Sequence, residues 1–277
     1  MNQRALRARV GHYTLVALLV VCALFPLYWM FNTSLLSTSN MFKAVPDAIP
    51  DFSRIGIYVE VFKTLPLAMW LGNSLVIAVG TTILSAALAL FAAYALSRYR
   101  FRGRGFIGFV MFASQMLPEA LLLVPLYAMF LAFGLLNQLH GLILVNTAFV
   151  MPILIWLFKG AIDSVPVEIE DAARIDGCSR LKLQVRIVWP LIAPAIVTGM
   201  VLSFFHAWNE YLLATTFLLD RDKRPASVGL ASLIGELATP LDQVMAAATV
   251  YALPALIFFL IVQRHIVGGL TAGGVKG

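Results

Sequence analysis

The chain alternates long apolar runs with short polar punctuation. No Asp, Glu, Lys or Arg occurs from Gly11 to Phe42, Thr64 to Ser97, Ala120 to Phe158, Ile187 to Asn209 or Gln243 to Gln263. Several of these runs exceed the roughly 20 residues with which a helix crosses about 30 Å of hydrocarbon. Cut at their polar and Gly/Pro breaks, they predict six transmembrane helices, near Tyr13–Leu36, Trp70–Ser97, Phe106–Ala132, Leu139–Phe158, Trp189–Leu219 and Val244–Gln263. The expected fold is therefore all-α and polytopic, with residues 1–277 forming one transmembrane domain. Its largest polar interruptions lie at about 37–69, 160–188 and 220–243.

Composition sharpens this picture. Only 12% of the 277 residues are charged and 61% are hydrophobic, too little polar surface to cover a soluble globule of this size. The basic residues fix an orientation. Arg4, Arg7 and Arg9, the cluster Arg98, Arg100, Arg102 and Arg104, the group Lys159, Arg174, Arg180, Lys182 and Arg186, and finally Arg264 and Lys276 fall on one side. By the positive-inside rule that side, with both termini, is cytoplasmic. The first span outruns a signal peptide and has no clear small-x-small cleavage site, so it reads as a retained anchor. The net charge of +6 is accounted for by flanks that face an anionic leaflet and calls for no nucleic acid.

Few features suggest chemistry within the chain. Gly103, Gly105 and Gly108 spell G-x-G-x-x-G, but they follow a span rather than a strand and read as a cytoplasmic hairpin. No G-x-x-x-x-G-K-[ST] is present. His12, His140, His206 and His265 stand singly, and Cys22 and Cys178 are separated by the topology, so neither a metal site nor a catalytic constellation is expected.

The polar stretch EIEDAARIDG, Glu168 to Gly177, stands out in the 160–188 loop. Pro166 suits a first helical position, Glu168, Glu170 and Asp171 suit the positive end of a helix dipole, and Gly177 suits a left-handed terminus. The stretch predicts a short capped helix with Ile169, Ala172 and Ala173 on one face and a Glu170–Arg174 pair on another. RLKLQVRI, Arg180 to Ile187, alternates like a strand. A lone strand would leave its backbone groups unpaired, so a second helix with Ser179 as its cap is preferred. The loop either lies on lipid or meets a protein, and its acids, which an anionic leaflet would repel, favour the protein.

The segment EIEDAARIDGCSRLKLQVRIVWPLIAPAI closely resembles the EAA loop of binding-protein-dependent ABC importer permeases. AWNEYLLA and the terminal QRHIVGGLTAGGVKG resemble the maltose-type carbohydrate subclass. One departure is present: Asp171 stands where the pattern has its first Glu, with Glu170 just before it. The resemblance implies a non-catalytic permease subunit that pairs with a second homologous permease, docks on two cytoplasmic ATPase subunits and receives solute from an extracytoplasmic binding protein. It implies ATP and Mg on the ATPase partners, with no cofactor on this chain. Glu170, Asp171, Ala172, Ala173, Asp176 and Gly177 become the expected ATPase-coupling residues, and the tail Gly268–Gly277 an expected ATPase contact. A self-sufficient secondary transporter or channel is the alternative, for which interrupted helices in matching halves are expected and none is evident in the sequence.

For the solute path, Glu119 near the middle of the third span and Glu210 in the outer half of the fifth call for an interior or watery setting. Gln115 and Asn209 are their candidate neighbours, and Trp208 and Tyr211 are candidate stacking surfaces for a sugar ring. No Lys or Arg lies inside a predicted span, so a neutral sugar, oligosaccharide or polyol is favoured. A glycerol-phosphate-type solute is the alternative.

Overall fold

The computed structural model describes residues 3–41, 43, 47–235 and 240–273, and every regular element among them is helical. In chain order the α-helices are α1 (Gln3–Leu35), α2 (Thr38–Met41), α3 (Ile57–Thr64), α4 (Leu67–Arg98), α5 (Arg104–Ser114), α6 (Glu119–Ala132) and α7 (Leu139–Asp163). They continue as α8 (Val167–Ile175), α9 (Arg180–Leu183), α10 (Trp189–Leu191), α11 (Ala193–Trp208), α12 (Leu212–Phe217), α13 (Ala226–Gly235) and α14 (Leu241–Gly273). The glycine-rich tail is helical as far as Gly273, and the last four residues of the Gly268–Gly277 expectation lie outside the described residues.

Four helical stretches are long and apolar enough to cross a membrane: Gly11–Leu35, Leu67–Arg98, Leu139–Asp163 and Leu241–Gln263. The third and fifth predicted spans are not continuous helices. α5 and α6 meet at 104°, and the run Arg180–Leu191 meets α11 at 84°, so the total reaches six only when each bent pair counts as one span. The prolines explain both breaks. Pro118 takes an extended ψ of 127° ahead of α6, lacks an N–H, and bars the residue before it from helical geometry. Pro190 and Pro194 flank the second break at Ile192, whose φ and ψ are −99° and 14°. The fifth predicted span also stops early, at Trp208, and α12 is a separate short helix. Two of the six predicted spans are thus broken at their prolines rather than continuous.

The chain divides into two compact units, Met1–Leu67 with Leu230–Pro254, and Ala68–Gly229 with Ala255–Gly277. In the first, the apolar stretch of α1 is exposed, with Tyr13, Leu18 and Val21 all more than half exposed. Its C-terminal end is tied down. The Asn32 amide donates to the Asp47 carbonyl at 2.9 Å, the Ser34 and Tyr58 hydroxyls lie 2.7 Å apart, and Arg54 bridges the Leu36 carbonyl and the Asp242 carboxylate.

The second unit is packed around α4, α7 and α11. Small residues permit close approach: a Cβ on Gly199 of α11 would sit 2.5 Å from Cε1 of Phe158 in α7. Across α4 and α11 the buried hydroxyls of Ser85 and Ser203 are 2.8 Å apart. One core continues from α4 and α7 under the loop that follows, through Ala93, Phe158 and Ile162 to Ala173, Leu183 and Val188.

Candidate functional site

The loop after α7 forms a helix because its ends are specified locally. Pro166 is the N-cap of α8, so the helix begins at Val167, one residue later than the sequence suggests, and Glu168 and Glu170 follow in the first turn. At the other end Gly177 has φ of +79°, the Cys178 N–H bonds the Ala173 carbonyl at 2.9 Å, and the Gly177 N–H bonds that of Arg174 at 3.0 Å. This paired closure is the Schellman arrangement, which a left-handed glycine permits without a steric penalty.

The apolar face differs from the one expected. Ala173 packs into the core, whereas Ile169 and Ala172 are exposed and Ile175 is 87% exposed. The buried partner of Ala173, one turn back, is Glu170, a carboxylate with no accessible surface. It is satisfied on three sides. Nε of Arg98 donates to Oε1 at 2.6 Å, the Tyr94 hydroxyl donates to Oε2 at 2.8 Å, and Nη2 of Arg174 approaches Oε2 at 3.2 Å. The expected Glu170–Arg174 pair is therefore present, and Arg174 also binds the exposed Asp171 at 2.5 Å. Sequence reasoning missed Tyr94 and Arg98, which close this network from the end of α4. Arg98 had registered only as a topology marker, since nothing local in sequence joins it to a residue 72 positions away.

After Gly177 the alternating run is helical. Ser179 is in N-cap position but its side chain makes no capping bond. Gln184–Val188 is a π-helical turn, closed by the Trp189 N–H on the Gln184 carbonyl. The wider turn explains the misleading alternation: Leu183, Gln184 and Val188 are buried while Leu181 and Val185 are exposed, a repeat of four to five residues.

The bend between α5 and α6 opens a cavity of about 280 Å³, lined by residues including Gln115, Glu119, Phe149 and His206. Glu119 is not mid-helix as expected but begins α6, where the exposed backbone N–H groups favour a carboxylate. No hydrogen bond or ion pair reaches it among the described residues. Gln115 donates to the Phe149 carbonyl at 3.2 Å, and Nε2 of His206 is buried without a hydrogen-bond partner. The structure thus brings together Gln115 and Glu119 and adds His206, which sequence periodicity could not place because the bend determines its neighbours.

The other expected path residues do not line this cavity. Glu210 is buried and spends its carboxylate on the backbone N–H groups of Leu213 at 2.6 Å and Ala214 at 2.8 Å, capping α12. Its expected neighbour Asn209 instead donates to the Phe205 carbonyl at 3.0 Å. Trp208 is 1% exposed and stacked on Phe204, whereas Tyr211 is 45% exposed.

A multi-span helical chain with a capped polar helix between its fourth and fifth apolar segments is the architecture of a membrane protein, and comparison with known proteins gives its class. Residues 85–271 match the family "Binding-protein-dependent transport system inner membrane component", and the chain belongs to it. It is 35% identical over 278 residues to the inner membrane ABC transporter permease protein YcjP of Escherichia coli K12, covering 100% of this chain and 99% of that protein. It is 33% identical over 265 residues to the trehalose/maltose transport system permease protein MalG of Thermococcus litoralis, covering 94% of each. In fold it matches a chain of a bacterial ABC transporter involved in import of the acidic polysaccharide alginate, with a TM-score of 0.79 and 23% identity over 95% of this chain and 98% of that one. The protein is an inner-membrane, multi-pass ABC importer permease, of a kind with carbohydrate-system relatives.

Proposed function

We propose that this chain forms half of the translocation path for a neutral sugar, oligosaccharide or polyol and couples it to separate ATPase subunits. The observation that carries this reading is the construction of α8: fixed inward through Glu170 and Ala173, it presents Ile169, Asp171, Ala172 and Ile175 outward as an exposed face. Two cytoplasmic ATPases, holding ATP and Mg, receive that face on this chain and on a second permease. Six spans with both termini cytoplasmic put α8 on the ATPase side, with the loops about 37–69 and 220–243 turned toward an external solute-binding protein. Asp176 and Gly177 act by closing the coupling helix, and Glu170 by anchoring it, while Asp171 keeps a carboxylate at its rim.

The neutral solute is supported by the cavity at the α5–α6 bend. Its lining carries Gln115, Glu119 and His206, which suit hydroxyl groups, and holds neither Lys nor Arg. The trehalose/maltose relative points the same way. The test is purification of the tagged chain in mild detergent, followed by reconstitution with its binding protein. An ATPase and a second permease are expected to accompany it, and ATP-dependent uptake of a neutral saccharide to follow. Isolation of the chain alone with ATP-independent flux contradicts the reading, and preference for a phosphorylated solute contradicts its substrate class.

A further inference from the structure

We propose that Arg98, at the C-terminal end of α4, is the positioning residue that makes the coupling helix and two spans move as one piece. The inference rests on the importer reading above and deepens it, by naming the mechanical link between the docking face and the path.

A short helix held to its neighbours only by one alanine and a loop would rock when pushed. α8 is held otherwise. The Arg98 guanidinium uses three directions of its fork: Nε on Glu170 of α8 at 2.6 Å, and Nη2 on the carbonyls of Ile162 at 2.9 Å and Val165 at 2.8 Å, at the end of α7 and just beyond it. One planar, rigid group therefore ties α4, α7 and α8. A second tie runs beside it, from the Ser97 hydroxyl to Asp163 at 2.6 Å and from Lys159 to the same carboxylate at 2.5 Å. Tyr94, one turn before Arg98, completes the acceptor side of Glu170 at 2.8 Å. The Arg98 side chain is 11% exposed and Glu170 fully buried, so the link is shielded from water and from salt, unlike a surface ion pair. Displacement of α8 by a partner is thereby transmitted to α4 and α7, and the α7 end bears on α11 through Phe158 and Gly199. Lysine in place of Arg98 keeps the charge but has no planar fork to span all three acceptors.

The test uses the complete importer in proteoliposomes and reads solute imported per ATP hydrolysed, with retention of the ATPase on the purified complex as a separate readout. Arg98→Met and Glu170→Gln are expected to retain the ATPase yet lower solute per ATP about ten-fold, the double variant no further than either single one. Arg98→Lys is expected to recover only part of the ratio, and Tyr94→Phe to lower it about three-fold. Arg102→Ala, on the exposed hairpin, is the control expected to match wild type. Wild-type ratios in Arg98→Met overturn the link. Should that variant fail to assemble, wild-type ratios in both Arg98→Lys and Tyr94→Phe overturn it equally. A wild-type complex that lacks the ATPase, or imports without ATP, instead overturns the importer reading beneath.

Discussion

Glu170 and Glu119 occupy similar local settings and have opposite fates. Each lies in the first turn of a helix whose N-cap is a proline, Pro166 for α8 and Pro118 for α6. Glu170 is buried and accepts from Tyr94, Arg98 and Arg174. Glu119 is half-buried against a cavity with no bonded partner among the described residues. The difference lies in what the preceding helix does. α7 delivers α8 onto the end of α4, where Arg98 and Tyr94 await and Arg174 of α8 itself joins them, whereas α5 bends away from α6 and leaves a space. A carboxylate with its bonds filled serves the shape of the protein, and the one left unfilled is the candidate for a solute on the proposed reading.

Removing Glu170 breaks the first half of the comparison and has the largest expected effect. Glu170→Ala leaves Arg98 buried without its partner and is expected to destabilise the folded chain by about 3–5 kcal/mol, read from chemical unfolding in detergent. The packing that supports this region is next. Gly199→Val drives its branched carbon into Phe158 and is expected to cost about 1–3 kcal/mol in the same assay. Glu210→Ala uncaps α12, with an expected cost of about 0.5–2 kcal/mol. Because the Glu210 carboxylate is already committed, the loss of uptake should then parallel the loss of stability. Glu119→Ala sharpens the contrast at the small end of the stability scale: a change within about 0.5 kcal/mol, with uptake reduced about ten-fold. Equal destabilisation by Glu119→Ala and Glu170→Ala would erase the distinction.

The apolar runs, their helical nature and the capped α8 were legible in the sequence because each depends on neighbours close along the chain. Pro166, Gly177 and the Glu170–Arg174 spacing all act within one or two turns. The bends at Pro118 and Ile192 were not legible as bends, since a proline within an apolar run is compatible with a continuous kinked helix as well as with a break. The inward turn of Glu170 was hidden for another reason: a charged residue on a polar loop reads as exposed unless its buried partner is known, and Arg98 lies 72 residues earlier. His206 was passed over as a solitary histidine. Its place beside Glu119 arises only when α5 and α6 fold at 104°. Glu210 was recognised as an interior carboxylate, but its capping bonds required the early stop of α11 at Trp208.

On the proposed reading, the outward face of α8 meets a separate ATPase while Glu170 holds its inner face to the spans. A photo-reactive phenylalanine analogue placed at Ile175, the most exposed apolar residue of the helix, tests this directly in the intact transporter. Irradiation is expected to yield an adduct with the ATPase subunit, at a yield that changes when ATP is bound and then hydrolysed. An adduct with lipid alone, or with the external binding protein, would contradict the account.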